Sequence, residues 1–362
     1  MTNPILDTAR QLVSAGVSVI PIKVDGSKAP ASTRLPIDEG TLKPSWKPYQ
    51  MRIATDQELV HWFSKPSVGI AVVAGEVSGN LEILDIDEPA LVEPWYELVE
   101  GEAPGLVSRL VVVKTPRAGH GRHCYYRCAV IAGNTKLAQG LRPDGQGQLQ
   151  VATLIETRGE GGYCLVPPSP ATCHPLNRPY VLSQGDLANI PTITPDERAI
   201  LLNCARALNE YVEPERIWTP PERSTATGDR PGDLFAANVS WEDILLPHGW
   251  RVVGHRGEVT LWCRPGKKGG LSATSGYCGD HFYVFSSNAH PFEPDRAYSK
   301  FTAYTLLNFG ARARDFRQAA IDLAAKGYVN RHEGRLATGS KSFGAHRPFG
   351  ALSAYGGVVS RG

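Results

Sequence analysis

The sequence predicts an α+β fold arranged in two units. Helical and strand-like segments alternate without a regular βαβ rhythm. A proline- and charge-rich stretch interrupts them after residue 212. A chain of 362 residues is also long enough to bury more than one core. Hydrophobic content of 42% and charged content of 20% fit an ordinary globular protein. A formal net charge of +2 gives no global basic field, so any nucleic-acid contact must come from local patches.

The elements read in order as follows. Asn3-Pro4 opens a short helix through ILDTARQLVSAG, with proline in its first turn and glycine at its end. VSVIPI is a strand. Residues 24–50 are loop-like and carry Lys28, Arg34, Lys43, Trp46 and Lys47 among prolines. Thr55-Asp56 caps a helix through DQELVHWF, followed by strands at VGIAVVAG and NLEILDID. A helix near PALVEPWYELVEG precedes strands at RLVVVKTP, HCYYRCAV, LQVATLIETRG and GYCLVPPS. A helix through PDERAILLNCARALNEYV closes the unit at residue 212.

Residues 213–240, centred on TPPERSTATGDRPGD, have linker composition. The second unit, 241–334, offers strands at EVTLWCRPG and HFYVFSS and helices at SKFTAYTLLNFG and DFRQAAIDLAAKGY. Residues 335–362 are rich in Gly, Ser and Ala and are expected to be disordered.

The chemistry concentrates in three clusters of the first unit. In LDIDEP, Asp85 and Asp87 are two residues apart on a strand and emerge on one face, while Leu84 and Ile86 turn to a core. Two adjacent carboxylates repel, and a divalent cation is the simplest partner that makes the pair favourable. In TPRAGHGRHCYY, a glycine-containing turn leads into a strand on which His123, Tyr125 and Arg127 share a face. In LIETRGEGGYCLVPPS, Glu156 sits between apolar neighbours and Arg158 and a glycine-rich turn follow. Three carboxylates suit two Mg²⁺ or Mn²⁺ ions that keep positions for phosphate and water. His123, Arg122 and Arg158, with backbone amides of the glycine turns, suit a triphosphate. Arg158 also reads as an ion-pair partner of Glu156 or Glu160.

Taken together and in this order, the clusters resemble the bifunctional primase–polymerase (Prim-Pol) domain of the archaeo-eukaryotic primase superfamily, common in phage and plasmid replication. That family carries an Asp-x-Asp motif, a second motif ending in histidine, and a third acidic motif running into Arg-Gly-x-Gly-Gly-Tyr and Pro-Pro-Ser. The matches here are Asp85 and Asp87, His123 in GHGRHCYY, and Glu156 in IETRGEGGYCLVPPS. Lys28 followed by Pro30, and Trp46 before the helix at Thr55, also look like the family's opening. The resemblance covers residues 5–215.

It implies an RRM-like catalytic sheet with flanking helices and a smaller α+β domain behind it. It also implies template-directed nucleotidyl transfer from dNTPs or NTPs with a two-metal site. Asp85, Asp87 and Glu156 would hold Mg²⁺ or Mn²⁺, and His123, Arg158 and Arg122 the nucleotide. The sequence departs from the family at Gly121, where Ser-x-His is usual, and at Glu156, where many relatives have Asp.

Single-stranded DNA is the expected template. Lys28 and Lys47 in the first unit, and Arg264, Lys267 and Lys268 in the RPGKKGG loop, are candidate phosphate contacts. No phosphate-loop motif is present, so a helicase would be a separate protein. Seven cysteines without a Cys-x-x-Cys pair read as small buried hydrophobes in a cytoplasmic protein, and no zinc is expected. No apolar run is long enough to span a bilayer, so no membrane contact is expected. Trp262, Tyr277, Phe282, Tyr283 and Phe285 read as core in preference to base-stacking platforms. Two other classes fit parts of the pattern: a catalytically weak module that binds single-stranded DNA, and an Asp-x-Asp transferase using a nucleotide sugar.

Overall fold

The computed structural model describes residues 3–64, 68–219 and 230–329. Its strands are β1 (Val19–Ile22), β2 (Ile37–Asp38), β3 (Lys43–Pro44), β4 (Gly69–Val73), β5 (Leu81–Ile86), β6 (Val111–Lys114), β7 (Arg122–Cys128), β8 (Thr135–Pro143), β9 (Leu149–Arg158), β10 (Tyr163–Leu165), β11 (Val181–Gln184), β12 (Thr192–Ile193), β13 (Arg251–Arg256), β14 (Val259–Cys263), β15 (Ala273–Gly276), β16 (Gly279–Val284) and β17 (Arg296–Tyr298). Its α-helices are α1 (Pro4–Ser14), α2 (Asp56–Phe63), α3 (Val92–Glu102), α4 (Leu106–Arg109), α5 (Pro195–Arg206), α6 (Pro231–Asn238), α7 (Trp241–Leu245), α8 (Lys300–Asn308) and α9 (Ala313–Ala325).

The fold is α+β, and the sheets are built almost wholly from antiparallel pairs. A seven-stranded sheet runs β11-β6-β7-β5-β9-β8, with β12 joined to β7. β5 lies inside it and is buried along its whole length. Both of its faces must therefore be covered, and the alternation of its side chains divides the core. Leu81 and Ile83 face a cluster built from α1, α2 and a three-stranded sheet, β1-β4-β10. Leu84 and Ile86 face a second cluster with α3, α4 and α5. On that second face Glu82 is fully buried, held by Arg198 of α5 at 2.6 and 2.7 Å and by the Tyr126 hydroxyl at 2.7 Å.

Helix starts follow local chemistry. Thr55 and Thr194 each form a reciprocal capping box, with Glu58 and Glu197 respectively. α5 stops at Arg206, short of the helix expected through residue 212. Asn209 accounts for the early stop: it accepts the Gln139 amide at 2.7 Å and donates to the Tyr211 carbonyl at 2.6 Å, drawing the chain across β8.

The second sheet is five-stranded, β13-β14-β15-β16-β17. One face, with Trp262, Phe282 and Val284, packs under α6, α7, α8 and α9. The other, with Leu261, Tyr283 and Phe285, joins the cluster of α3 and α5. The two sheets therefore share a core in addition to their covalent connection.

The stretch read as linker, 213–240, is structured where it is described. Ile217 bridges Ala297, Trp218 stacks on Phe316 at 5.0 Å, and Pro231 opens α6. Proline at the first turn of a helix is compatible with it, and the composition that reads as linker also fits such a start. The expected tail, 335–362, lies outside the described residues. Among the described residues no helix is long and apolar enough to cross a membrane.

Candidate active site

The register of three neighbouring strands assembles the acidic cluster. Asp85 of β5 stands opposite His123 of β7 on one side and Glu156 of β9 on the other. Asp87, two residues on, emerges on the same face, where its amide is anchored to the Leu154 carbonyl at 2.9 Å. Carboxylate oxygens of Asp85, Asp87 and Glu156 all lie within 4.8 Å of one another. Among the described residues this is the group of His, Cys, Asp and Glu side chains close enough to share a metal ion.

The electrostatics of the cluster call for a cation. Asp85 is 6% exposed, and its Oδ1 has no hydrogen-bond partner. His123 Nε2 comes within 3.5 Å of that oxygen, a contact too loose to satisfy it. Burial, then the charges of Asp87 and Glu156, push the Asp85 carboxyl well above its ordinary range. Burial also raises Glu156, against the lowering effect of Arg158. An orphaned buried carboxylate oxygen beside two more carboxylates is a hard-oxygen donor set that fits Mg²⁺ or Mn²⁺.

Cationic and aromatic groups ring the same face. A cavity of about 210 Å³ over Asp85 and His123 is lined also by Lys28, Arg158, Tyr163 and Tyr180. Arg158 is ion-paired with Glu156. His123 is held by the Tyr125 hydroxyl at its Nδ1, 3.1 Å away, and by the Tyr180 ring at 5.7 Å. Burial, reinforced by Lys28 and Arg158, lowers its pKa to about 3, so the imidazole is neutral. Lys28 holds a left-handed backbone, φ 60°, rare for a residue with a side chain, and its carbonyl accepts from the Tyr163 hydroxyl at 3.3 Å. The glycine turn that carries the chain from β9 to β10 admits no side chain at Gly159, where a Cβ would meet the Ala132 carbonyl at 1.9 Å.

Of the residues singled out in the sequence, Asp85, Asp87, His123, Glu156, Arg158 and Lys28 are brought together. Arg122 is not. It precedes His123 by one residue, so its side chain turns to the other face of β7, where it bonds the carbonyls of His120 and Gly121. Lys47 is exposed on the turn after Trp46, whose ring meets Tyr163 at 5.1 Å; Lys47 does not line the cavity.

In the RPGKKGG loop, Lys268 is exposed, but Lys267 folds inward. Its ammonium donates to the Leu271 carbonyl at 3.0 Å near Glu102, and burial lowers its pKa. Lys267 is therefore not presented for phosphate contact. Arg264 donates to the Pro265 carbonyl at 3.0 Å, and none of the three loop cations lines the cavity.

Sequence reasoning missed Arg117, which pairs with Asp87 at 2.9 Å from the turn before β7. It also missed Tyr180, whose approach to His123 depends on tertiary packing. The cysteines Cys124 and Cys128 are buried among apolar residues of the α3–α5 cluster. Trp262 and Phe282 are wholly buried in the second sheet's core.

No curated protein matches the chain. A family model does, described as bifunctional DNA primase/polymerase, N-terminal, over residues 9–195. The match takes in just over half of the chain, with the acidic cluster, His123 and Arg158, and ends before the second sheet. The chain therefore belongs to the bifunctional DNA primase/polymerase family, whose members are nucleotidyltransferases of DNA replication.

Proposed function

We propose that this chain is a template-directed DNA primase–polymerase of the phage or plasmid replication type. In this reading residues 1–212 form the catalytic unit around an RRM-like sheet, and the five-stranded unit accompanies it. The enzyme would work on single-stranded DNA in the cytoplasm. The observation that carries the reading is the orphaned Asp85 oxygen amid three carboxylates, at the floor of a cavity walled by Lys28, His123 and Arg158.

Asp85, Asp87 and Glu156 would hold the metal. Bound there, Mg²⁺ or Mn²⁺ would supply activation of the attacking 3′-hydroxyl and charge stabilisation of the leaving pyrophosphate. The protein's own residues position the substrates. Lys28 and Arg158 would offer their charges to the triphosphate, Arg158 exchanging its present ion pair with Glu156 for the phosphate. With Tyr125 donating into Nδ1, the neutral His123 keeps its proton on Nε2 and donates it to a phosphate oxygen, with no additional charge to desolvate. Tyr163 and Tyr180 flank the cavity.

The test is incorporation of labelled dNTPs or NTPs on primed and unprimed single-stranded templates, with Mg²⁺ or Mn²⁺, beside the Asp85→Ala/Asp87→Ala variant. Incorporation that the variant loses supports the reading, and activity on unprimed template adds priming to extension. Equal signal from variant and wild type rejects it. DNA binding without any incorporation would instead identify a binding module.

A further inference from the structure

A second, larger cavity of about 450 Å³ lies where the two sheets' units meet. One wall is β8, the edge strand of the catalytic sheet, with Lys136. A second is the end of α5 and the segment after it, with Arg206 and Arg216. The third is the five-stranded unit, with Tyr283 and Asp295. Asn134 lines both this cleft and the cavity over Asp85, so the two are neighbours on either side of it. Lys136 is the register partner of Glu156, and its charge acts on that carboxylate. The cleft therefore lies beside the acidic cluster, with Lys136 and Asn134 between them.

We infer that this cleft seats the sugar–phosphate backbone of the DNA strand next to the reacting nucleotide, so that the five-stranded unit forms one wall of the DNA path. The inference rests on the proposed nucleotidyl transfer, and three features favour a polyanion. The volume suits a nucleotide-sized group. The lining is polar and carries Lys136, Arg206 and Arg216 against Glu213 and Asp295. Among the described residues, Lys136 and Arg216 make no ion pair and are exposed, whereas Arg206 is only loosely engaged by Asp295, at 3.9 Å. A lysine on an edge strand also guards against strand pairing, but that role does not require Arg216 across the cleft.

The test uses the full chain, a fluorescein-labelled single-stranded oligodeoxynucleotide and anisotropy over a salt series. Lys136→Ala and Arg216→Ala each replace an exposed side chain. Each should weaken binding about fivefold and reduce the slope of log affinity against log salt by about 0.7, the value for one phosphate contact on a single strand. Asp295→Asn keeps a residue type that tolerates the left-handed backbone there, φ 56°, and should tighten binding about twofold. The KM for nucleotide should stay unchanged in Arg216→Ala and Asp295→Asn. Wild-type affinity and slope in the two cation variants, with wild type itself extending a primer, would overturn the cleft assignment. Absence of incorporation by wild type would instead reject the nucleotidyl-transfer reading on which it rests.

Discussion

Gly121 stands where relatives of this family often carry serine, and restoring that serine should damage the protein. Gly121 lies at the start of β7 against the end of β5, and a Cβ built on it would sit 2.3 Å from the Ile86 carbonyl oxygen and 2.9 Å from Thr115 Oγ1. The first of these is backbone in the strand that carries both aspartates, and it cannot rotate away. Relieving the contact requires about 1 Å of separation between β5 and β7. That overpacking should cost about 2–3 kcal/mol of stability. The same movement pulls His123 away from Asp85, and a displacement of about 1 Å in a reacting constellation lowers turnover by about a hundredfold. Gly121→Ser should therefore melt earlier than wild type and extend a primed template about a hundred times more slowly, with Gly121→Ala no better. A Gly121→Ser protein as stable and as active as wild type would refute the reasoning, because it would show that the strands meet with room for a side chain.

Three further outcomes follow from the same geometry. Arg117→Ala removes the guanidinium that competes for Asp87, and calorimetric titration without nucleotide should show Mn²⁺ binding about threefold tighter; weaker binding would mean that Arg117 supports the cluster. Arg198→Ala strands the fully buried Glu82 carboxylate and should cost about 3–5 kcal/mol in urea unfolding, and a loss under about 1 kcal/mol would contradict the structural role given to the pair. Glu58 is held down to about 2 by Arg52, Tyr49 and the Thr55 cap, against an ordinary 4.5. Its contribution is therefore present above pH 4.5 and lost as pH falls toward 2. Glu58→Gln should flatten the acid limb of a melting-temperature series over that range, and an unchanged limb would place the acid sensitivity elsewhere.

The centre of the site was legible because its parts are short, alternating strands. On β5 and β9 a period of two decides which side each carboxylate faces, and antiparallel pairing then sets Asp85 between His123 and Glu156. The same rule, applied one residue earlier on β7, turns Arg122 away; the number of cations near His123 in sequence says nothing about their side of the sheet. Arg117 was hidden for a different reason. It lies in a turn, where no period applies, and the left-handed His120 and Gly119 decide where its side chain goes.

β8 was missed because Gly140 and Pro143 break its pattern, and register shifts at Lys136, Ala138 and Gln139 disturb the alternation. β13 alternates between exposed and half-buried positions and carries no apolar face to read. The shared core between the sheets was illegible too. β14 is buried on both faces, and a continuous apolar run does not say what covers each side.

Direct binding of the metal tests the central claim most plainly. Titration of Mn²⁺ into the full chain, wild type beside Asp85→Ala/Asp87→Ala, with folding of each verified by circular dichroism, should show saturable binding that the folded double variant loses. Equal binding by the two proteins would contradict the account, because the cation would then be held somewhere other than the carboxylates of β5.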